Sequence, residues 1–153
     1  MQNKLGYVSS ALTAFRAVIA PCLIWDAMGY VHAEIKLKNP RLPKLKSLTV
    51  KTMVDTGALM LCIPEHISVQ LKLETNSQRE VTTADGRKQM VPYVGPLEVV
   101  FENRSCFVGA LVLGDEVLLG SVPMEDMDLI ISPAHRKLIV NPDSPNFPHA
   151  LVK

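Results

Sequence analysis

The run Leu48-Thr-Val-Lys-Thr-Met-Val54 leads directly into Asp55-Thr-Gly-Ala58, and this junction is the strongest indication of the fold. The first seven residues are rich in apolar and β-branched side chains, which predicts a strand. A strand would hold the aspartate rigidly at its end, and the glycine would let a backbone N–H approach the carboxylate closely. Such N–H donors stabilise the ionised carboxylate. Because Asp, Thr and Gly are all turn residues, the tripeptide alone is also consistent with an ordinary strand-ending turn.

Length and composition limit the class of protein. The 153 residues suggest one domain, which is large enough to bury a core without disulfides or metals. A net charge of +1 and 5% aromatic residues argue against a nucleic-acid partner, and no uncharged apolar run is long enough to predict a membrane span. Three widely spaced cysteines predict free thiols in a reducing compartment, and therefore a cytoplasmic protein. No metal ion or other cofactor is expected.

The first 27 residues differ from the rest of the chain. They carry Lys4 and Arg16, followed by an apolar run that Pro21 interrupts. This faintly resembles a signal peptide, although no clean small-x-small cleavage site follows. We interpret residues 1–27 as an upstream extension with Met28 as a possible start; a weak targeting segment or a helix packed on the domain are the alternatives. The predicted domain covers residues 28–148, and residues 149–153 form a tail.

From Gly29 onward the hydrophobic pattern predicts short strands. Apolar residues occupy alternate positions of 31–37, which predicts a half-buried strand. Turn signals recur between further apolar runs, and Gly95-Pro96 is predicted to break one of them. Many short strands with two brief helices predict an all-β barrel or folded sheet. Strands are predicted near 31–38, 48–54, 79–83, 88–94, 97–101, 106–113, 116–119, 129–131 and 138–140.

Two short helices are predicted between these strands. Pro64 and Glu65 open the first, because proline is well tolerated in the first turn. Ser121 is predicted as the N-cap of the second, and Glu125 and Asp126 are predicted near its positive end. Residues 141–148 contain three prolines and predict an irregular segment.

The order of these elements resembles the retropepsin-like aspartic protease families, which include the retroviral proteases. Asp55-Thr-Gly-Ala58 follows an apolar strand, Ala84-Asp-Gly86 tips a predicted hairpin, and Leu118-Leu-Gly120 leads from an apolar strand into a helix. More closely, the chain looks like the small bacterial proteins described as clan AA aspartic proteases, over roughly residues 28–148. Four stretches carry this resemblance: 54–64, 84–86, 116–128 and 138–145. It implies an all-β, retropepsin-like acid-protease half-barrel with one or two short helices that forms a C2 homodimer.

The resemblance also implies an activity, the hydrolysis of peptide bonds by an aspartic endopeptidase. Two aspartates would share one proton and hold a water between them, so their pKa values would split. Because the chain has one Asp-Thr-Gly, each of two chains would supply one aspartate. Asp55 would be the catalytic carboxylate, Thr56 would bond across the twofold axis, and Gly57 would donate its N–H toward the carboxylates.

The remaining site residues are also implied by the resemblance. Ala84, Asp85 and Gly86 would form a flap that closes over a peptide or protein substrate and excludes water. Leu118 and Leu119 would pack beneath the active loop. The residues implied to bind substrate or to shape its site are Ala58, Ala84, Asp85, Gly86, Leu118, Leu119 and Gly120.

Two other functions stay open. One is a non-catalytic dimeric module of the same fold that binds extended peptides by strand addition. The other is a small β-barrel that binds a different protein partner.

Other chemical groups have ordinary interpretations. The carboxylates of Glu125, Asp126 and Asp128 are better explained by a helix dipole than by a metal. Six basic residues in 36–51 are interpreted as a solvated hairpin loop rather than a surface for an anionic partner. Cys62 and Cys106 lie in apolar runs and predict buried, inert thiols, while His135 is expected to be exposed in a turn.

Overall fold

The computed structural model describes residues 29–152, so the interpretation of residues 1–27 lies outside the described part. Over residues 29–152 the chain forms nine strands and two helices. Neither of these helices has the length or the apolar character needed to cross a membrane. The elements are β1 (Val31–Lys38), β2 (Leu48–Val54), β3 (Leu61–Ile63), α1 (Glu65–Gln70), β4 (Thr75–Thr82), β5 (Lys88–Phe101), β6 (Arg104–Val112), β7 (Val117–Leu119), α2 (Ser121–Asp126), β8 (Leu129–Ser132) and β9 (Lys137–Val140).

Seven strands form one sheet, in the order β1-β2-β7-β3-β6-β5-β4. Strand β1 also pairs with β5, which closes the sheet into a barrel and leaves β4 at an edge. Strands β8 and β9 form a separate hairpin. The predicted all-β class with two short helices is confirmed. The retropepsin-like order of elements is present as well: an apolar strand, the aspartate loop, a long hairpin, and β7 leading into α2.

The alternating pattern of β1 explains its place in the barrel. Val31, Ile35 and Leu37 are buried and Ala33 packs against the core, while the alternate residues His32, Glu34 and Lys36 are exposed. The strand runs antiparallel to β2, with Ile35 opposite Val50. The first helix is present as predicted, with Ile67 in the core, although Pro64 occupies the N-cap position and Glu65, rather than the proline, is the first helical residue.

The predicted break at Gly95-Pro96 is wrong. Strand β5 continues through these residues to Phe101, with a cis peptide between them and a register shift between Val94 and Leu97. Glycine accepts the φ of +144° found there, and the bulge accommodates a proline that cannot donate to the ladder. One long strand therefore links the barrel to the β4–β5 hairpin. Strand β4 also begins at Thr75, earlier than the predicted Arg79.

The predicted N-cap of α2 is wrong as well. Gly120 occupies the cap position, and Ser121 is the first helical residue. A distant loop replaces the missing cap, because the N–H of Ser121 donates to the carbonyl of Ala58 (2.8 Å) and that of Val122 to Leu59 (3.0 Å). Glu125 and Asp126 lie in the last turn of this six-residue helix, so the prediction that they sit at its positive end is also wrong.

The segment after β9 is irregular, as predicted, and it is held in place by Asp128. The Asp128 carboxylate accepts hydrogen bonds from the Ser144 hydroxyl, from Asn141 Nδ2 (2.9 Å) and from the backbone N–H of His149 (3.0 Å). These donors, Ser144 foremost, lower the pKa of Asp128 to about 2. Arg104 lies 1% exposed beneath the segment and donates from Nη2 to the Ser144 carbonyl.

Candidate active site

Asp55 directly follows strand β2, at one end of the barrel. The strand lies parallel to β7, with Val54 opposite Leu119. The pairing extends one residue further, because the N–H of Asp55 donates to the carbonyl of Leu119 (3.1 Å). The backbone that carries the carboxylate is therefore part of the sheet hydrogen-bond network.

The Asp55 carboxylate is half-buried and engaged by the loop that follows it. The N–H of Gly57 donates to Asp55 Oδ1 (2.8 Å), and the N–H of Ala58 donates to the Asp55 carbonyl (3.2 Å). A Cβ on Gly57 would lie 3.1 Å from Oδ1, a tight contact for any side chain. Thr56 and Gly57 are exposed. Within residues 29–152 the Oδ2 atom accepts no hydrogen bond, so one oxygen is free to engage a water or a substrate.

The backbone of Gly120 packs directly against the loop that follows Asp55. A Cβ at this position would lie 2.4 Å from the carbonyl oxygen of Met60, 2.7 Å from the carbonyl carbon of Leu59 and 2.8 Å from the oxygen of Ala58. All three are backbone atoms, which cannot yield as a flexible side chain would. Only glycine allows this approach, and the approach lets the first N–H groups of α2 reach the loop carbonyls.

The two leucines before Gly120 support the site from inside. Leu119 is fully buried in the core. Leu118 is half-buried, opposite Met53 of β2 and Cys62 of β3. Their positions suit packing beneath the loop rather than direct contact with a bound peptide.

Thr52 is a supporting residue that the sequence analysis missed. It is fully buried, and its hydroxyl donates to the carbonyl of Val117 (3.0 Å), which ties β2 to β7 just before Asp55. The available signal was a polar residue at an inward position of β2, since a buried hydroxyl needs a partner.

The cysteines differ from each other. Cys106 is buried as predicted, and burial, with the charge of Asp126, raises its pKa to about 12. Cys62 is only half-buried, which corrects the prediction of a fully buried thiol. Its pKa is raised first by burial and then by the negative charge of Asp55, so the two side chains lie within electrostatic reach.

The tip of the β4–β5 hairpin is a well-formed turn in solvent. Gly86 has φ of +82°, and its N–H donates to the Thr83 carbonyl (2.8 Å). Asp85 bonds to the Thr83 hydroxyl (2.5 Å) and to Arg87, and these bonds, that of Thr83 foremost, lower its pKa. Ala84 is exposed at the same tip. The hydrogen bonds of Asp85 and Gly86 stay within the hairpin, so none of them joins the tip to the Asp55 loop.

The base of the hairpin is fixed by a stack of three residues. The Tyr93 ring occupies the space where Gly109 lacks a side chain, since a Cβ there would lie 2.0 Å from the tyrosine hydroxyl. The Arg79 guanidinium lies 3.9 Å from the centroid of the same ring, which is a cation–π contact. The hairpin is therefore anchored where it leaves the barrel, and β4 beyond this point is exposed.

Apolar side chains surround the exposed loop. Leu59 is 64% exposed and Val122 is 37% exposed, and the backbone bond between them brings them together. They are exposed apolar side chains at the end of the loop that follows Asp55, and they have no partner chain in the described structure. Within residues 29–152, no three His, Cys, Asp or Glu side chains are grouped as metal ligands would be.

Three solved structures are similar in fold to this chain. A retropepsin-like aspartic protease from Rickettsia conorii is 20% identical with a TM-score of 0.46, covering 67% of this chain and 76% of that one. The simian foamy virus (mac) protease is 18% identical with a TM-score of 0.39, covering 60% and 91%. The retroviral protease-like domain of Ddi1 from Leishmania major is 13% identical with a TM-score of 0.48, covering 73% and 90%. No family model and no curated protein matches the sequence.

Proposed function

We propose that the protein is an aspartic endopeptidase that works as a C2 homodimer. Asp55 and its symmetry mate would share one proton and hold the attacking water between them. One carboxylate would remove a proton from the water, while its protonated partner would polarise the scissile carbonyl. The pair would titrate as a unit rather than as two independent groups.

The observation that carries this proposal is the state of the Asp55 carboxylate. Its backbone is fixed in the sheet, Oδ1 accepts the Gly57 N–H at 2.8 Å, and Oδ2 accepts no hydrogen bond from the described residues. A rigidly held carboxylate with a free oxygen is what water activation needs. One such group per chain makes a dyad only when two copies meet.

The surface around the loop supports the dimer. Leu59 and Val122 expose apolar area beside Thr56, and burying this area would favour association. In the proposed dimer the Thr56 hydroxyl would bond across the twofold axis. The exposed β4–β5 hairpin, with Ala84, Asp85 and Gly86 at its tip, would close over the bound peptide.

The test is cleavage of a peptide library, read by mass spectrometry, with wild type and Asp55→Asn. Assays would run from about pH 4 to about pH 8, because the working pH follows the dyad pKa values. We expect turnover by wild type and a loss of at least about 10³-fold in the variant. Sedimentation of the same samples would show whether both are dimers. Cleavage by a dimeric Asp55→Asn variant would refute the proposal.

A non-catalytic peptide-binding module is the second candidate, favoured by one observation. Strand β4 ends the seven-stranded sheet and is exposed along nearly its whole length, so its outer edge is open to a peptide strand within the described structure. This candidate predicts saturable peptide binding that Asp55→Asn leaves unchanged. It also predicts no turnover in either form, which distinguishes it from the protease.

A further inference from the structure

A cavity of about 400 Å³ lies between the β1–β2 loop and the end of α1. Its volume is in the range of pockets that hold small ligands or a few side chains. It is part of neither the Asp55 loop nor the β4–β5 hairpin. Its lining residues are Arg41, Leu42, Pro43, Lys44, Leu45 and Lys72.

Asn39 fixes the two walls of this cavity. It is 6% exposed, and its Nδ2 donates to the carbonyls of Leu71 (2.9 Å) and Lys72 (3.2 Å) at the end of α1. Its Oδ1 accepts the N–H of Arg41 (3.0 Å), and its carbonyl accepts the N–H of Leu42 (3.1 Å). One buried side chain thus holds the loop against the helix, so the cavity is formed before any ligand arrives.

The backbone of Lys72 is unusual for its residue type. Its φ is +50°, in the left-handed region that favours glycine. The Asn39 bond to its carbonyl holds this conformation. A left-handed residue is a common way for a helix to end, and here the N–H of Leu73 donates to the Ser68 carbonyl (3.0 Å), so the conformation of Lys72 fixes the end of α1 at the cavity wall.

The charges around the cavity are not balanced. Arg41 is already paired with Glu74 at 2.5 Å. Lys44 and Lys72 are exposed, and within residues 29–152 neither makes an ion pair. Two unpaired ammonium groups therefore stand beside an apolar surface formed by Leu42 and its neighbours.

We propose that this cavity binds a peptide segment in which acidic residues lie next to an apolar side chain. The two lysines would attract the carboxylates, and the apolar lining would receive the neighbouring side chain. Glu74 pairs with Nη1 of Arg41, so the unpaired positive charge at the cavity comes from the two lysines, and competition with inorganic phosphate separates carboxylate from phosphate recognition. This site goes beyond the proposed protease activity and does not depend on it.

The test uses a fluorescent peptide of alternating Glu and Leu with the full-length protein, read by anisotropy at an ionic strength of about 0.15 M, where the Debye length is about 8 Å. A second peptide replaces Glu by Gln, and a third replaces Leu by Ser. The protein variant Lys44→Glu/Lys72→Glu reverses both charges at exposed positions, so the fold is expected to survive. The control is Lys137→Glu, at an exposed position of β9 outside the cavity lining, and Lys44→Glu and Lys72→Glu are also measured singly so that each is compared with a control of equal charge change. Mass spectrometry would confirm that the probe stays intact.

We expect saturable binding of the Glu–Leu peptide, and weaker binding of both substituted peptides. The double reversal should raise Kd by about tenfold or more, because two attractive contacts become repulsive. Lys137→Glu should leave Kd within about twofold, since exposed charges farther apart than a Debye length are screened. Equal losses in the cavity variant and the control would overturn the proposal. Equal binding of the Gln peptide, or full displacement by inorganic phosphate, would overturn it too.

Discussion

Two aspartates in this molecule, Asp55 and Asp128, differ in how many hydrogen bonds their carboxylates accept. Asp128 accepts three hydrogen bonds, from Ser144, Asn141 and His149, and it holds the C-terminal segment against the domain. Asp55 accepts one, from Gly57, and its second oxygen accepts none from the described residues. Both follow a regular element, and both are half-buried. They differ in how many of their lone pairs the chain itself satisfies.

The difference bears directly on the catalytic role proposed for Asp55. A carboxylate offers roughly four acceptor positions. Where the chain fills most of them, as at Asp128, protonation is disfavoured because it would weaken hydrogen bonds that the folded chain already makes. At Asp55 the chain fixes the group through its backbone and leaves one oxygen without a partner among the described residues, which is the arrangement that the proposed water activation requires. The contrast can be tested by changing each aspartate and the residues that hold it.

The largest effect on stability is expected from Gly120→Ala. The added Cβ would lie within 2.8 Å of three backbone atoms of the Asp55 loop, so the loop and α2 would have to separate. We expect a loss of about 3 kcal/mol or more in the free energy of unfolding, measured by urea denaturation. Gly114→Ala is the matched control. It lies in a turn with φ of +81° and open space, and we expect a cost of about 1 kcal/mol there. Equal costs would contradict the close approach at Gly120.

A smaller effect, on activity rather than stability, is expected from Gly57→Ala. The backbone there is not left-handed, so alanine is tolerated, but its Cβ would press on Asp55 Oδ1 at 3.1 Å. We expect kcat to fall by about 10- to 100-fold through displacement of the carboxylate. The unfolding midpoint should stay close to that of wild type. Unchanged kcat in a folded dimer would show that the position of Oδ1 is not critical.

Acid should weaken the hydrogen bonds that the Asp128 carboxylate accepts. Hydrogen bonds lower the pKa of Asp128 from 3.8 to about 2, so the stability from its ionised form is present above pH 3.8 and is lost as the pH falls from 3.8 toward 2. Asp128→Asn cannot ionise, and asparagine tolerates the φ of +52° at this position. The urea midpoints of wild type and variant should differ at neutral pH and converge in acid. A gap that persists to pH 2 would contradict this assignment.

The smallest effect is expected from Arg104→Met. The guanidinium is 1% exposed, yet its Nε and Nη1 atoms have no hydrogen-bond partner among the described residues. Its burial is therefore costly, and a methionine of similar length would avoid that cost. We expect the free energy of unfolding to change by less than about 1 kcal/mol, by urea denaturation. A loss several times larger would show that the bond to the Ser144 carbonyl dominates.

Elements with a clear periodic pattern could be predicted from the sequence alone. The alternating residues of β1, the apolar run of β2 and the final hairpin each follow local rules that the structure obeys. The position of Asp55 at the end of β2 could be predicted for the same reason. The tripeptide, the hairpin turn and the Leu-Leu-Gly element could be placed in order along the chain.

What the sequence did not reveal depends on distant contacts. The N-terminus of α2 takes its partners from Ala58 and Leu59, so local capping rules misplaced the cap at Ser121. A Gly-Pro pair usually interrupts a strand. Here β5 continues through Gly95-Pro96 by a bulge, because β4 and β6 pair with it before the bulge and β1 and β6 pair with it afterwards. The partners of Asp128 lie in a segment with no periodic signal at all. In each case tertiary structure overrode a sound local expectation.

The hydroxyl bond from Thr52 to the Val117 carbonyl spans 65 residues of chain. The Gly120 backbone also packs against the loop that follows Asp55. This loop is therefore held in place only after β7 and α2 have folded onto it. Contacts so distant in sequence form late, because the intervening chain must first lose its freedom. During synthesis the aspartate therefore leaves the ribosome well before the residues that position it. A nascent or truncated chain therefore carries the Asp55 carboxylate without the contacts that position it.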